Sequence, residues 1–393
     1  MPLHDPAHAF VPYPDASVPN AATGPLCGLT FAVKDLFDVA GYPTGGGNPF
    51  VLAMSGIKAD TAPTVQRLLD AGARFVGKTV TDELAFSMNG NNAHFGQPLN
   101  GAAPERITGG SSSGSASAVS HRLADFALGT DTGGSVRAPA NHCGLYGIRP
   151  THGAVSLRGA LDLAPSLDTC GWFSRDAVTF ERIGQVLLPA DAVPLPARPR
   201  LLWPTDLWGQ AVQGVEAALA DATGHAQALW GQATAVEAVL DGFDETYWAF
   251  RHLQGREAWQ VDGPMIERFA PPLGPGVAER FTWSRTVTDA QVSSAQIFRE
   301  RFRAHMTALL GGDGVLLLPS MPDVAPLRSA AESTLEDYRN RAIRLLCVAG
   351  LAGLPQVSLP LATKDGAPLG LGLIGPQGSD RSLLRMARML EAA

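Results

Sequence analysis

Apolar residues along the chain fall in short runs separated by longer amphipathic stretches. A brief apolar run bounded by turn residues reads as a buried strand, while apolar spacing of three and four reads as a helix with one inward face. On this basis Gly28–Lys34 (GLTFAVK) is a strand, Ala62–Ala71 is a helix capped by Asp60 or Thr61 and stopped by Gly72, and Arg74–Val76 is a second strand. Ser112–Leu123 is helical after a glycine-rich turn, Asp125–Leu128 is a brief strand, and a second glycine-rich turn at Asp131–Ser135 opens another segment. Further strands are expected at Arg200–Trp203, Val315–Leu318, Gln356–Pro360 and Leu369–Ile374, and helices over Ala211–Ala222, Asp244–Glu267, Asp289–Leu310 and Arg381–Leu390. Strands alternating with helices point to an α/β fold around a largely parallel or mixed sheet. The proline-rich Leu188–Arg198 reads as a surface connection, and because strands resume after it, it is not a domain boundary.

Composition narrows the partners. With 45% hydrophobic and 17% charged residues among 393, the chain folds compactly. A net charge of −7 without a basic block gives no support to nucleic-acid binding, so a small-molecule partner is expected. Cys27, Cys143, Cys170 and Cys347 lie far apart without C-x-x-C spacing, and the nine histidines are unclustered. No metal and no cofactor are therefore expected, and a reducing cytoplasm fits. His142 and Cys143 are adjacent, but neighbouring side chains diverge, which makes them a buried structural pair. The N-terminus lacks a positive segment followed by an apolar stretch, and no uninterrupted apolar run reaches about 18 residues, so no membrane association is expected. A homodimer is compatible with all of this.

Three segments carry chemistry. Lys34 ends an apolar strand, where it either reaches solvent or has its proton affinity lowered, and strand alternation keeps it from pairing with Asp35. GGSSSGSASA at Gly109–Ala118 could be a flexible loop or a phosphate cradle, but it has no lysine where a Walker loop needs one. Gly110, Ser112 and Gly114 formally satisfy a nucleophile elbow, yet no apolar strand precedes them and no suitably placed histidine follows. In GTDTGGSVRAPA, Gly129–Ala140, the residues Thr132, Gly133, Gly134 and Ser135 could converge their backbone N–H groups on one small space. Such a nest is an oxyanion hole with a serine at its end, or a plain glycine turn.

Taken together, AVKD at Ala32–Asp35, GGSSSGSA at Gly109–Ala116, and GTDTGGSVR at Gly129–Arg137 followed by PA..CG..G.RP..G resemble the amidase signature family. The match is strong over Leu26–Arg175, absent over Arg200–Thr307, and weaker at Gly350–Pro360 and Gly370–Pro376. The resemblance implies one large, mixed, twisted sheet covered by helices on both faces. It implies a single domain over 1–393, with the motifs in 26–175, a motif-poor helical region at 200–307, and a sheet completed by 314–376. It also implies an amide hydrolase with Ser135 as nucleophile, Ser111 as bridging serine on a cis peptide bond and Lys34 as base. Thr132, Gly133, Gly134 and Ser135 would form the oxyanion hole, Gly110, Ser112, Asp131 and Arg137 would support the site, and Ser87, Met88 and Asn89 would line the substrate pocket.

FAVKDLFDVAGYPTGGGNP, NGNNAHFGQPLN and HGAVSLRGALDLAPSLDTCGWFSRD look similar to plant indole-3-acetamide hydrolases and their bacterial relatives. The expected substrate is then a small primary amide, aryl or arylacetic, held by apolar pocket walls and converted to an acid and ammonia. The alternative is the glutaminase subunit of a tRNA-dependent amidotransferase.

Overall fold

The computed structural model describes residues 5–393. Among these, ten strands build one sheet: β1 (Thr30–Lys34), β2 (Arg74–Thr79), β3 (Phe126–Asp131), β4 (Tyr146–Arg149), β5 (Thr169–Ser174), β6 (Arg200–Pro204), β7 (Thr234–Val236), β8 (Gly314–Pro319), β9 (Gln356–Lys364) and β10 (Ala367–Ile374). Their spatial order is β2-β1-β3-β5-β4-β9-β10-β8-β6-β7. Parallel pairs at the two ends, β2-β1-β3 and β8-β6-β7, flank an antiparallel centre. The sheet is therefore mixed, as the alternation of elements suggested.

Helices cover both faces, which explains why strands such as GVLLLP in β8 are apolar throughout. Val315 and Leu317 join a core that includes Val65, Leu68, Phe180, Ile183, Leu383 and Leu384, from helices Pro63–Asp70, Ala177–Leu187 and Asp380–Glu391. Leu316 and Leu318 point the other way, into a core built with Phe250, Leu253, Phe298, Phe302, Leu345 and Leu346 from helices Phe243–Phe269, Asp289–Leu310 and Glu332–Ala352.

Two local expectations are corrected. The helix foreseen over Ala211–Ala222 begins only at Val215, because Gly214 holds a left-handed φ of 90° that a helix cannot pass through, and it is split at Leu219 into Val215–Ala218 and Ala220–Trp230. The helix at Pro63–Asp70 starts at Ala62 with no side-chain cap, since Pro63 presets its first turn and the Thr61 hydroxyl instead accepts from the Ala40 N–H. Strands β4, β5 and β7 and the long helix Glu332–Ala352 were not foreseen.

Candidate active site

The site grows from the C-terminal ends of two adjacent parallel strands, β1 and β3. Lys34 closes β1, and its Nζ lies 2.7 Å from Ser111 Oγ and 2.8 Å from Thr130 Oγ1 on β3. Lys34 and Ser111 are fully buried. Burial disfavours the ammonium and pushes the Lys34 pKa down to about 7, although the carboxylates of Asp82, Asp168 and Asp131 favour the charged form. Asp35 faces the other side of the strand, where it pairs with buried Lys78 at 2.8 Å and accepts from the Tyr13 hydroxyl at 2.7 Å. The alternation of a strand thus separates a structural ion pair from a lysine held without a bonded carboxylate.

Ser111 sits in the turn before helix Ser113–Ser120, and the Gly110–Ser111 peptide bond is cis. Gly110 is required here, because a Cβ at that position would lie 2.2 Å from Asp82 Oδ2. Ser112 is bound up with the Thr130 backbone: its hydroxyl lies 3.3 Å from both the N–H and the C=O of Thr130. Its own N–H donates to the Ser135 carbonyl. A buried hydroxyl so engaged does not suit a nucleophile elbow, and Ser112 instead ties the two glycine-rich turns together.

The second turn, Thr132–Ser135, follows β3 and is held by Asp131. Gly134 N–H donates to Asp131 Oδ1 at 3.0 Å, and the N–H groups of Val136 and Arg137 donate to Oδ2. Of the four N–H groups expected to converge on an oxyanion, that of Gly134 is thus engaged elsewhere. Those of Thr132, Gly133 and Ser135 have no acceptor among the described residues. Gly134 has a φ of +121°, and a Cβ there would come within 2.3 Å of Leu346 Cδ1.

Asp131 is itself clamped by two fully buried guanidiniums, Arg137 at 2.8 Å and Arg149 at 3.1 Å. These hold its carboxyl well below the usual carboxylate range in spite of its burial. Arg149 also donates to the carbonyls of Asp131 and Thr132. Replacing Asp131 with Asn leaves both cations buried without their counter-ion, so an equilibrium unfolding titration is expected to show a loss of about 3–5 kcal/mol. An unchanged midpoint would mean that the cluster does not hold the fold.

The Ser135 hydroxyl makes no hydrogen bond within the described residues. Ser135 lines a narrow cavity of about 20 Å³, room for about one water, together with Phe86, Ser87, Met88, Phe250, Gln254 and Arg339. An adjoining cleft of about 740 Å³ shares Ser87 and is lined by Asn89, Arg251, Arg280 and Trp283 among others. Ser87 and Met88 line the small cavity, and Asn89 lines the adjoining cleft. Ala85, Phe86, Met88, Phe250 and Ile343 give the small cavity at Ser135 mostly apolar walls, whereas Arg251 and Arg280, from helices that pack beside it, border the adjoining cleft. Sequence reasoning missed Thr130, Arg149, Gln254 and Arg339, and of these Thr130 and Arg149 lay within quoted motifs. His142 and Cys143 are both buried, with His142 Nε2 2.8 Å from the Tyr338 hydroxyl.

The family model described as Amidase matches residues 9–198 and 258–384, and the chain belongs to the amidase signature family. It is an amide hydrolase. Among its relatives, Amidase 1 of Arabidopsis thaliana is 38% identical over 98% of each chain. The A subunit of the glutamyl-tRNA(Gln) amidotransferase of Thermus thermophilus is 34% identical, over 94% of this chain and 85% of that one. A crystal structure described as that of an amidase superposes with a TM-score of 0.84 at 33% identity, covering 94% of this chain and 85% of the other. No helix among the described residues is long and apolar enough to cross a membrane.

Proposed function

We propose that this hydrolase cleaves small primary amides through a Ser-Ser-Lys relay, and the observation that carries the proposal is the 2.7 Å contact between Lys34 Nζ and Ser111 Oγ in a fully buried setting. Neutral Lys34 keeps an N–H on Thr130 and turns its lone pair to Ser111. The Ser135 hydroxyl, which makes no hydrogen bond among the described residues, turns to Ser111 in the reactive arrangement; Ser111 then passes its proton to Lys34 as it takes that of Ser135, and Ser135 Oγ attacks the amide carbon. The backbone N–H groups of Thr132, Gly133 and Ser135 receive the oxyanion. Return of the proton through Ser111 to the leaving nitrogen expels ammonia and leaves an acyl-serine, and water repeats the sequence to release the acid. Asp131, Arg137 and Arg149 hold the oxyanion turn, while Gly110 and Ser112 hold Ser111 against it.

The chain is taken to act as one catalytic unit, with segments 26–175, 200–307 and 314–376 all contributing strands or cavity walls. Aryl and arylacetic amides, indole-3-acetamide among them, are the proposed acyl class, supported by the motif resemblance and by the Trp283 ring in the cleft. A cytoplasmic setting is supported by four cysteines that remain unpaired. The second reading, a glutaminase component of an amidotransferase, is favoured by the likeness to the Thermus thermophilus protein.

Ammonia release separates the two. Purified protein is expected to hydrolyse indole-3-acetamide, phenylacetamide or benzamide without any partner. Inactivity on all three, with ammonia released from glutamine only after a tRNA-binding partner is added, would establish the second reading instead.

A further inference from the structure

Helix Phe243–Phe269 presses one face onto the glycine-rich turn that follows β3. Phe250 and Gln254 stand one helical turn apart on that face. A Cβ at Gly133 would lie 2.9 Å from Phe250 Cζ and 3.5 Å from Gln254 Nε2. The Gln254 carboxamide is thus packed directly against the turn that carries the proposed oxyanion donors. It lines the same cavity of about 20 Å³ as Gly133 and Ser135.

Gln254 is only 6% exposed, and its Oε1 is buried with no donor among the described residues. Buried polar atoms find a partner in the large majority of cases, so an unmet acceptor beside a nucleophile marks a place for an N–H or O–H of a ligand. The other side chains of the wall offer no open acceptor. Phe86, Met88, Phe250 and Ile343 are apolar, and Arg339 can only donate. The Ser87 hydroxyl already accepts from the Asn89 N–H at 3.3 Å.

Size points to the same ligand group. The cavity has room for about one water, and the NH2 of a primary amide, or the ammonia it becomes, is a group of that size. An N-alkyl substituent would overfill it. The acyl part has the adjoining cleft of about 740 Å³.

We propose that the small cavity is the leaving-group site and that Gln254 Oε1 accepts an N–H of the scissile amide, which makes Gln254 the residue that selects primary amides. The assignment deepens the reading of Ser135 as nucleophile and rests on it. As Ser135 Oγ bonds to the carbonyl carbon, the nitrogen takes the proton delivered through Ser111 and the C–N bond breaks. The ammonia formed keeps one of its original N–H groups on Gln254 until it departs. A water then takes its place, donates one hydrogen to Gln254 Oε1, gives the other proton to Ser111 and attacks the acyl carbon.

The test follows phenylacetate release by the purified full chain from three substrates with one acyl group: phenylacetamide, N-methylphenylacetamide and methyl phenylacetate. Their kcat/KM values report formation of a common acyl-enzyme, the step in which the leaving groups differ. The parent protein is expected to prefer phenylacetamide to its N-methyl derivative by about tenfold or more. In Gln254→Leu the amide-to-ester ratio of kcat/KM should fall by about tenfold or more, because the ester has no N–H to be held. Gln254→Glu, which keeps an acceptor oxygen, should retain most of that ratio. Being a ratio, it does not depend on the fraction of enzyme folded. An equal loss on amide and ester in Gln254→Leu, or no loss on either, would overturn the inference, as would a parent protein that cleaves the N-methyl amide as readily as the primary one; each spares the reading of Ser135. Phenylacetate release that persists in Ser135→Ala, or none from any of the three substrates, would instead overturn the reading of the site on which the inference rests.

Discussion

Ser135→Ala is expected to lower amide turnover by about 10⁴-fold or more, with a thermal unfolding midpoint close to that of the parent protein. The fold is spared because the Ser135 hydroxyl bonds to no other group in the described chain and borders a cavity, so its removal leaves no buried atom unsatisfied. Lys34→Ala and Ser111→Ala should each lose several orders of magnitude. Members of one proton relay act as a unit, so a double variant should be hardly worse than either single one. Single-turnover assays on the three variants, with circular dichroism to verify folding, decide the matter. An active Ser135→Ala beside a dead Ser112→Ala would move the nucleophile to the first glycine-rich turn.

The second large effect is on pH dependence. As the proposed base, Lys34 must be neutral to accept a proton, and a pKa of about 7 means that acid would remove it. Below pH about 7, kcat/KM should therefore fall close to tenfold per pH unit, and above it should level off. The corresponding effect on stability has a definite sign. The folded-state value lies below the unfolded value of 10.5, so the native state binds fewer protons between about 7 and 10.5, and stability rises with pH across that window. A flat profile of kcat/KM from about pH 5 to 9 would exclude Lys34 as the base.

Lys34 and Ser135 stood out because each interrupts a local pattern, a charge at the end of an apolar strand and a hydroxyl closing a glycine-rich turn, whereas Ser111 was singled out only by the resemblance of its motif to the amidase signature. The strands flanking them were readable for the same reason, being runs with turns on either side. Arg251, Arg280 and Arg339 were not: in a predicted helix Arg251 reads as an ordinary cation of a solvated face, and Arg280 and Arg339 lie in helices that the sequence pattern did not reveal. Only the packing of these helices against the sheet turns that face into a cavity. Thr130 was hidden because a threonine in a buried strand needs no further explanation until Lys34 is seen beside it. The break at Gly214 was equally invisible, since a glycine in an amphipathic pattern reads as tolerated until its φ is known.

The strand order carries a kinetic consequence. All the motifs of the proposed relay precede Leu188–Arg198, yet the strands of that half end on β4, whose neighbour β9 lies near the other end of the chain. Arg137 likewise waits for the Leu346 carbonyl and the Gln356 side chain, 209 and 219 residues downstream. Contacts this distant in sequence are slow to form. During synthesis the relay residues emerge first, on a half-sheet whose last strand shows unpaired backbone groups to any passing chain. Until Gly147, Ile148 and Arg149 find Ser358, Val357 and Gln356, the nascent half is most exposed to mispairing with another copy of itself.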